Sequence, residues 1–181
     1  MCDKIISQNQ TAFIKGRFIL ESVVTAHEIV QVVHTSGSKG MFFTINYGKA
    51  YKKVSLDFLY EVLRRMGFVN RWIQWIKSST HEGSVGVKVN GEESNFFITK
   101  RGLRQGYPFS PPLFNLAVNV FARTLIMGSN STLIKGLCPN LNPGGAIYLE
   151  CAYDTLLFMG NDVRVALNLK WILTCFEFIS G

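Results

Sequence analysis

Residues 146–159 read AIYLECAYDTLLFM, and this stretch decides the fold. Two apolar segments, Ala146–Cys151 and Leu156–Met159, flank Ala-Tyr-Asp-Thr. Segments of that length and composition around a short polar centre predict a β-hairpin with an acidic tip. Upstream, Met41–Tyr47 (MFFTINY) is short, aromatic and β-branched, and reads as a buried strand after the Gly-Ser-Lys-Gly break at 37–40. Val85–Asn90 and Asn95–Thr99 alternate in the strand manner. Asn90-Gly91 signals a hairpin turn between them, and the four residues Gly91–Ser94 point to a looser loop.

Helical spacing of apolar residues fills the gaps. It predicts helices over 18–33, 55–66, 70–78, 112–127 and 163–179. Ser55 is placed to cap the second, with Leu56, Leu59, Val62 and Leu63 inward, and Gly67 stops it. The third presents Trp72, Ile73 and Ile76 to one side, and Trp72 and Trp75 read as packing residues. The fourth turns Leu113, Leu116, Val120 and Phe121 inward. Strands interrupted by helices in this order give an α+β fold, an antiparallel sheet with helices on one face.

The chain has 181 residues, 48% of them hydrophobic, 13% aromatic and 17% charged. That is room for about one domain with ample apolar surface to bury, which excludes a disordered chain. No run of about 18 apolar residues is present, so no membrane span is expected. The first twenty residues lack the pattern of a secretory signal. Cys2, Cys138, Cys151 and Cys175 form no C-x-x-C pair, which argues against zinc and for reduced thiols in an intracellular protein, nuclear or cytoplasmic. His27, His34 and His81 have no partners at ligand spacing. Residues 1–110 hold 15 Lys and Arg against 8 Asp and Glu, whereas 111–181 hold 4 against 4. One-sided basicity suits a nucleic acid or, equally, a plain solvated surface.

Three stretches in order carry a family resemblance: TINYGKAYKKV (44–54), RGLRQGYPFSPPLF (101–114) and CAYDTLLF (151–158). They resemble the palm motifs of reverse transcriptases, most closely those of LINE-type, non-LTR retrotransposons of plant genomes. NQTAFIKGRFI (9–19) is similar to the fingers segment before the first palm strand, and LKWILTCFEFISG (169–181) to the helix after the catalytic hairpin. The resemblance implies a partial right-hand polymerase spanning 1–181. Residues 1–40 would be its fingers side and 41–181 its palm, with a fingers hairpin inserted near 85–99 and the thumb absent. Apolar surface that the absent parts cover is then expected to lie exposed.

The resemblance also implies templated DNA synthesis on an RNA or DNA template-primer, with magnesium and the nucleotide as the small-molecule requirements. Two-metal phosphoryl transfer needs anionic oxygens that converge on both ions. In the family these come from an Asp ending the first palm strand and an Asp pair at the hairpin tip. Here the matching positions are Asn46, Tyr153 and Asp154, so Asp154 is the one metal carboxylate retained. Tyr107 replaces the Asp usual after RGLRQG, and Gly48 and Lys52 stand where acidic residues are common. Asp to Asn and Asp to Tyr are single base changes, as drift in an unselected copy would leave. The resemblance therefore implies a catalytically degenerate domain with magnesium binding weak or lost, the alternative being a non-catalytic nucleic-acid-binding remnant.

By position, Tyr51 matches the aromatic beneath the incoming sugar, and Gln105 and Gly106 match the loop against nucleotide and template. Arg101 and Arg104 can contact template or phosphate, or simply solvate their loop. Lys15 and Arg17 are placed to contact the nucleic-acid backbone.

Overall fold

The computed structural model describes residues 5–48, 50–81, 84–98, 101–139 and 145–181. Cys2 lies outside them, as does the side chain of His81. The elements in order are α1 (Ile19–Thr35), β1 (Gly40–Asn46), α2 (Ala50–Lys53), α3 (Leu56–Arg65), α4 (Asn70–His81), β2 (Ser84–Val85), β3 (Lys88–Val89), β4 (Glu92–Glu93), β5 (Phe97–Ile98), α5 (Ser110–Asn130), β6 (Tyr148–Cys151), β7 (Asp154–Gly160) and α6 (Val163–Ser180). The class is α+β with antiparallel strands, as expected. The chain divides into two compact units, one of residues 1–48 with 118–179 and one of 49–117 with 180–181.

The first unit holds a three-stranded antiparallel sheet in the order β1-β7-β6. Alternation along β7 sends Leu157 and Met159 to one face, where they pack with Phe121, Leu125, Leu169 and Ile172 from α5 and α6. Leu156 and Phe158 go to the other, against Ile29 and Val33 of α1. Helices therefore cover both faces, not one. The uninterrupted apolar run Leu156–Met159 is what a doubly covered central strand requires. The expectation of a buried strand at 41–47 is also corrected. β1 is the edge of the sheet and much of it is exposed, Phe42 and Phe43 included. Further apolar side chains are open on α1 and α6, among them Leu20, Trp171 and Phe178.

In the second unit, Ser55 caps α3 as predicted, its Oγ accepting from the Phe58 N–H at 3.3 Å. Leu56, Leu59, Val62 and Leu63 are buried, and Gly67 leaves the helix with φ +80°. On α4, Ile73 and Ile76 are buried, Trp72 stacks on Phe68, and Trp75 is exposed under the Arg71 guanidinium. Asn90-Gly91 forms a two-residue turn between β3 and β4 rather than a looser loop. Both residues have positive φ, +52° and +92°, the twist that a tight hairpin demands.

Candidate functional site

The last residue of β1 and the first of β7 are register partners, Asn46 with Asp154. Adjacent residues on a strand point to opposite faces, so partners across a ladder share one. The Asn46 Nδ2 donates to Asp154 Oδ1 at 2.6 Å, in a solvent-exposed position. Cys151 pairs with Asp154 across β6 and β7, so the turn is only Ala152-Tyr153. Ala152 accommodates it with φ +58°. The Tyr153 carbonyl accepts from the Tyr47 N–H at 3.0 Å, fastening the turn to the end of β1. Asn46, Tyr153 and Asp154, the positions that match the family's catalytic carboxylates, thus meet at one end of the sheet. The Tyr153 ring lies 5.9 Å from that of Phe13.

The opposite face of the same strand ends is closed. Glu150 is 1% exposed, and neither of its carboxylate oxygens has a hydrogen-bond partner among the described residues. Desolvation pushes its carboxyl up to about 8. The Tyr47 hydroxyl sits 3.3 Å from Thr155 Oγ1. Burial, first, and the neighbouring Glu150 raise the Tyr47 phenol, and the same two causes raise Tyr148. Sequence reading passed over Glu150, although an acidic residue inside an apolar strand (Tyr-Leu-Glu-Cys) was the available signal.

Lys15 is exposed. Arg17 is turned onto its own loop, where its guanidinium donates to the carbonyls of Ser7, Gln10 (2.7 Å) and Ile6 (3.4 Å).

In the second unit, Tyr51 is buried with its ring 5.6 Å from Phe114, edge to face. Arg101, Arg104, Gln105 and Gly106 are exposed, and Gly106 has φ +81° with open space where a Cβ would point. Gly102 is the glycine with a packing requirement. At φ +89° its missing Cβ would meet the Lys52 and Tyr51 backbone at 2.8–2.9 Å. The Gly102 N–H donates to the Val54 carbonyl (3.0 Å) and the Leu103 N–H to the Tyr51 carbonyl (2.6 Å). The loop is thereby pinned to the segment that carries Tyr51. Sequence reading did not single out this glycine.

A family model, "Reverse transcriptase (RNA-dependent DNA polymerase)", matches residues 1–137. The chain belongs to that family. Its relatives include the "Transposon TX1 uncharacterized 149 kDa protein" of Xenopus laevis, 22% identical over 160 residues, 88% of this chain and 12% of that protein. The "Retrovirus-related Pol polyprotein from type-2 retrotransposable element R2DM" of Drosophila melanogaster is 31% identical over 81 residues, 45% of this chain and 8% of that protein. The reverse transcriptase domain described here is thus related to those of non-LTR retrotransposons, and it spans about an eighth or less of these two proteins. Among solved structures it is similar to an apo telomerase from Candida tropicalis, with TM-score 0.59 and 12% identity over 88% of this chain and 33% of that one. That likeness concerns the fold.

The family implies magnesium and a nucleic-acid template. Magnesium takes hard, anionic oxygens. The Asn46–Asp154 end of the sheet offers one carboxylate, and the amide presents its N–H donor to it. Among the described residues, no three His, Cys, Asp or Glu side chains converge as a cation cage. This donor set does not fit a pair of divalent ions. No helix among the described residues is long and apolar enough to cross a membrane.

Proposed function

We propose that this chain is a catalytically degenerate reverse transcriptase domain of a LINE-like element of the plant type, one that binds nucleic acid without extending a primer. On this reading, residues 1–40 are the fingers side and 41–181 the palm, with a fingers hairpin inserted near 85–99. Its place would be inside the cell, in nucleus or cytoplasm, where its template is. The observation that carries the reading is the hydrogen bond from Asn46 to Asp154, an amide filling the place of a carboxylate at the metal end of the sheet. Two magnesium ions bring four positive charges, and Asp154 returns one negative charge. Tyr153 puts a bulkier phenol where the family has a carboxylate. Each lost ligand removes several kcal/mol of transition-state stabilisation, so the rate falls by many orders of magnitude.

The remaining assignments concern binding. Tyr51, Gln105 and Gly106 are the nucleotide-side positions, and Lys15, Arg101 and Arg104 the exposed cations for backbone phosphates. Arg17 serves by holding its loop in shape, since its guanidinium bonds that loop's carbonyls.

Paired assays test the reading. Gel shifts of a primer-template should show binding that weakens steeply as salt rises from about 50 to 200 mM. Primer extension on an RNA template, with magnesium or manganese, should show no growth beyond that of Asp154→Ala. Affinity weaker than about 10⁻⁴ M at low salt would remove the binding half. Extension that disappears in Asp154→Ala would remove the degenerate half.

A further inference from the structure

We propose that Phe13 and Tyr153 form a stacking platform for an unpaired base of single-stranded nucleic acid. The proposal deepens the binding reading above and rests on it.

Phe13 is held where folding alone gives no reason to put it. Its φ is +59°, a left-handed conformation that is a true outlier for a bulky side chain and costs about 1 kcal/mol or more. Such outliers persist only where their surroundings over-determine them, and they cluster at functional sites. The surroundings here do so. The Thr11 N–H donates to the Glu150 carbonyl at 3.2 Å, and the Ala12 N–H to Gln10 Oε1 at 3.0 Å. Thr11 Oγ1 and Ser22 Oγ lie 2.8 Å apart, and the Arg17 guanidinium ties the carbonyls of Ser7 and Gln10 together. Ala12 and Ile14, on either side, are buried. Phe13 is left facing outward, 52% exposed, so its ring adds little to the core.

What the ring does meet is Tyr153, at 5.9 Å and tilted by 43°. Tyr153 is itself only half-buried, on a two-residue turn fastened to Tyr47. Lys15, two residues beyond Phe13, is exposed. Asp154, the carboxylate beside the turn, already accepts the Asn46 amide. An exposed phenylalanine ring backed by a half-buried tyrosine ring, with a cation close by in the chain, is a combination that holds single-stranded nucleic acid. Every base has a π-face to stack, and the lysine attracts the adjoining phosphate. In a duplex those faces are hidden, so the platform selects unpaired strands.

The test uses the full chain and a twelve-nucleotide oligothymidylate carrying one central 2-aminopurine, with its RNA counterpart and a duplex version as further arms. Stacking should lower the probe's fluorescence on the single strands and leave the duplex's already low fluorescence unchanged. Quenching on the DNA or the RNA strand supports the proposal and names the source. Phe13→Ala and Tyr153→Ala should each weaken single-strand binding by about fivefold to a hundredfold, while Tyr153→Phe, which keeps the ring, stays within about twofold. Should Phe13→Ala not fold by circular dichroism, Tyr153→Leu supplies an uncharged ring-free variant with the same expected loss. Salt-dependent binding that is indifferent to removal of either ring overturns the platform and leaves the binding reading intact. Absence of binding by the unsubstituted chain at low salt overturns both.

Discussion

Asn46 and Asp154 face each other as register partners at the end of the sheet, joined by an amide-to-carboxylate hydrogen bond of 2.6 Å. A neutral donor therefore fills the position next to the carboxylate where a ligand for a cation would be needed. The bond is charge-assisted, the stronger kind, and its exposure to solvent limits what it adds to stability. Its consequence is chemical, because it satisfies Asp154 without any ion.

Replacing Asn46 by Asp turns that attraction into a repulsion. Two carboxylates directly opposed across a ladder destabilise the pair by about 1 kcal/mol or less at an exposed site. A divalent ion that binds the folded form alone restores stability by mass action. Thermal unfolding of Asn46→Asp should therefore begin below that of the parent chain and rise with millimolar magnesium or manganese. The parent's midpoint should be nearly indifferent to either ion. Equal shifts in both proteins would contradict the argument.

Glu150 sets a pH dependence. Burial lifts its carboxyl from the ordinary 4.5 to about 8 in the folded protein, so between those values the folded state holds a proton that the unfolded chain has released. Stability should be fully present below about pH 4.5 and fall as pH rises toward 8, by on the order of 3 kcal/mol at neutral pH. Glu150→Gln should flatten that decline across pH 5–8 in urea unfolding. A parent whose midpoint rises through that range would show that the carboxyl is ionised in the fold.

Gly102→Ala tests the loop that carries Gln105. The new methyl meets backbone at 2.8–2.9 Å in a conformation that L residues avoid. A loss of about 2–4 kcal/mol follows from backbone strain plus overpacking. Gly106→Ala, with the same sign of φ and open space around it, should cost only the strain, about 1 kcal/mol. Similar losses for the two in chemical denaturation would contradict the packing argument.

What was legible in the sequence was local. Ser55, Gly67 and the apolar spacing of α3 sit close together in the chain, and the structure keeps each of them. The apolar segments around Tyr153-Asp154 gave the hairpin, and the motif order brought Asn46 to it. Edge position was not legible, because β1 is exposed through its place at the end of the order β1-β7-β6 rather than through its own composition. Helices on both faces also escaped notice, since the partners of Leu156 and Phe158 on α1 lie more than a hundred residues away. Gly102 was hidden for the same reason, its constraint coming from the backbone of Tyr51 and Lys52. Phe13 reads as one more apolar residue until its φ is seen.

This end of the sheet sets one carboxylate beside an amide and a phenol, a donor set that does not fit a pair of divalent ions. Manganese titration followed by electron paramagnetic resonance counts bound ions directly. The parent chain should bind no manganese tighter than the millimolar range, and bound ions should appear when Asp is placed at 46 and 153 together. Two ions held tightly by the parent and released by Asp154→Ala would contradict it.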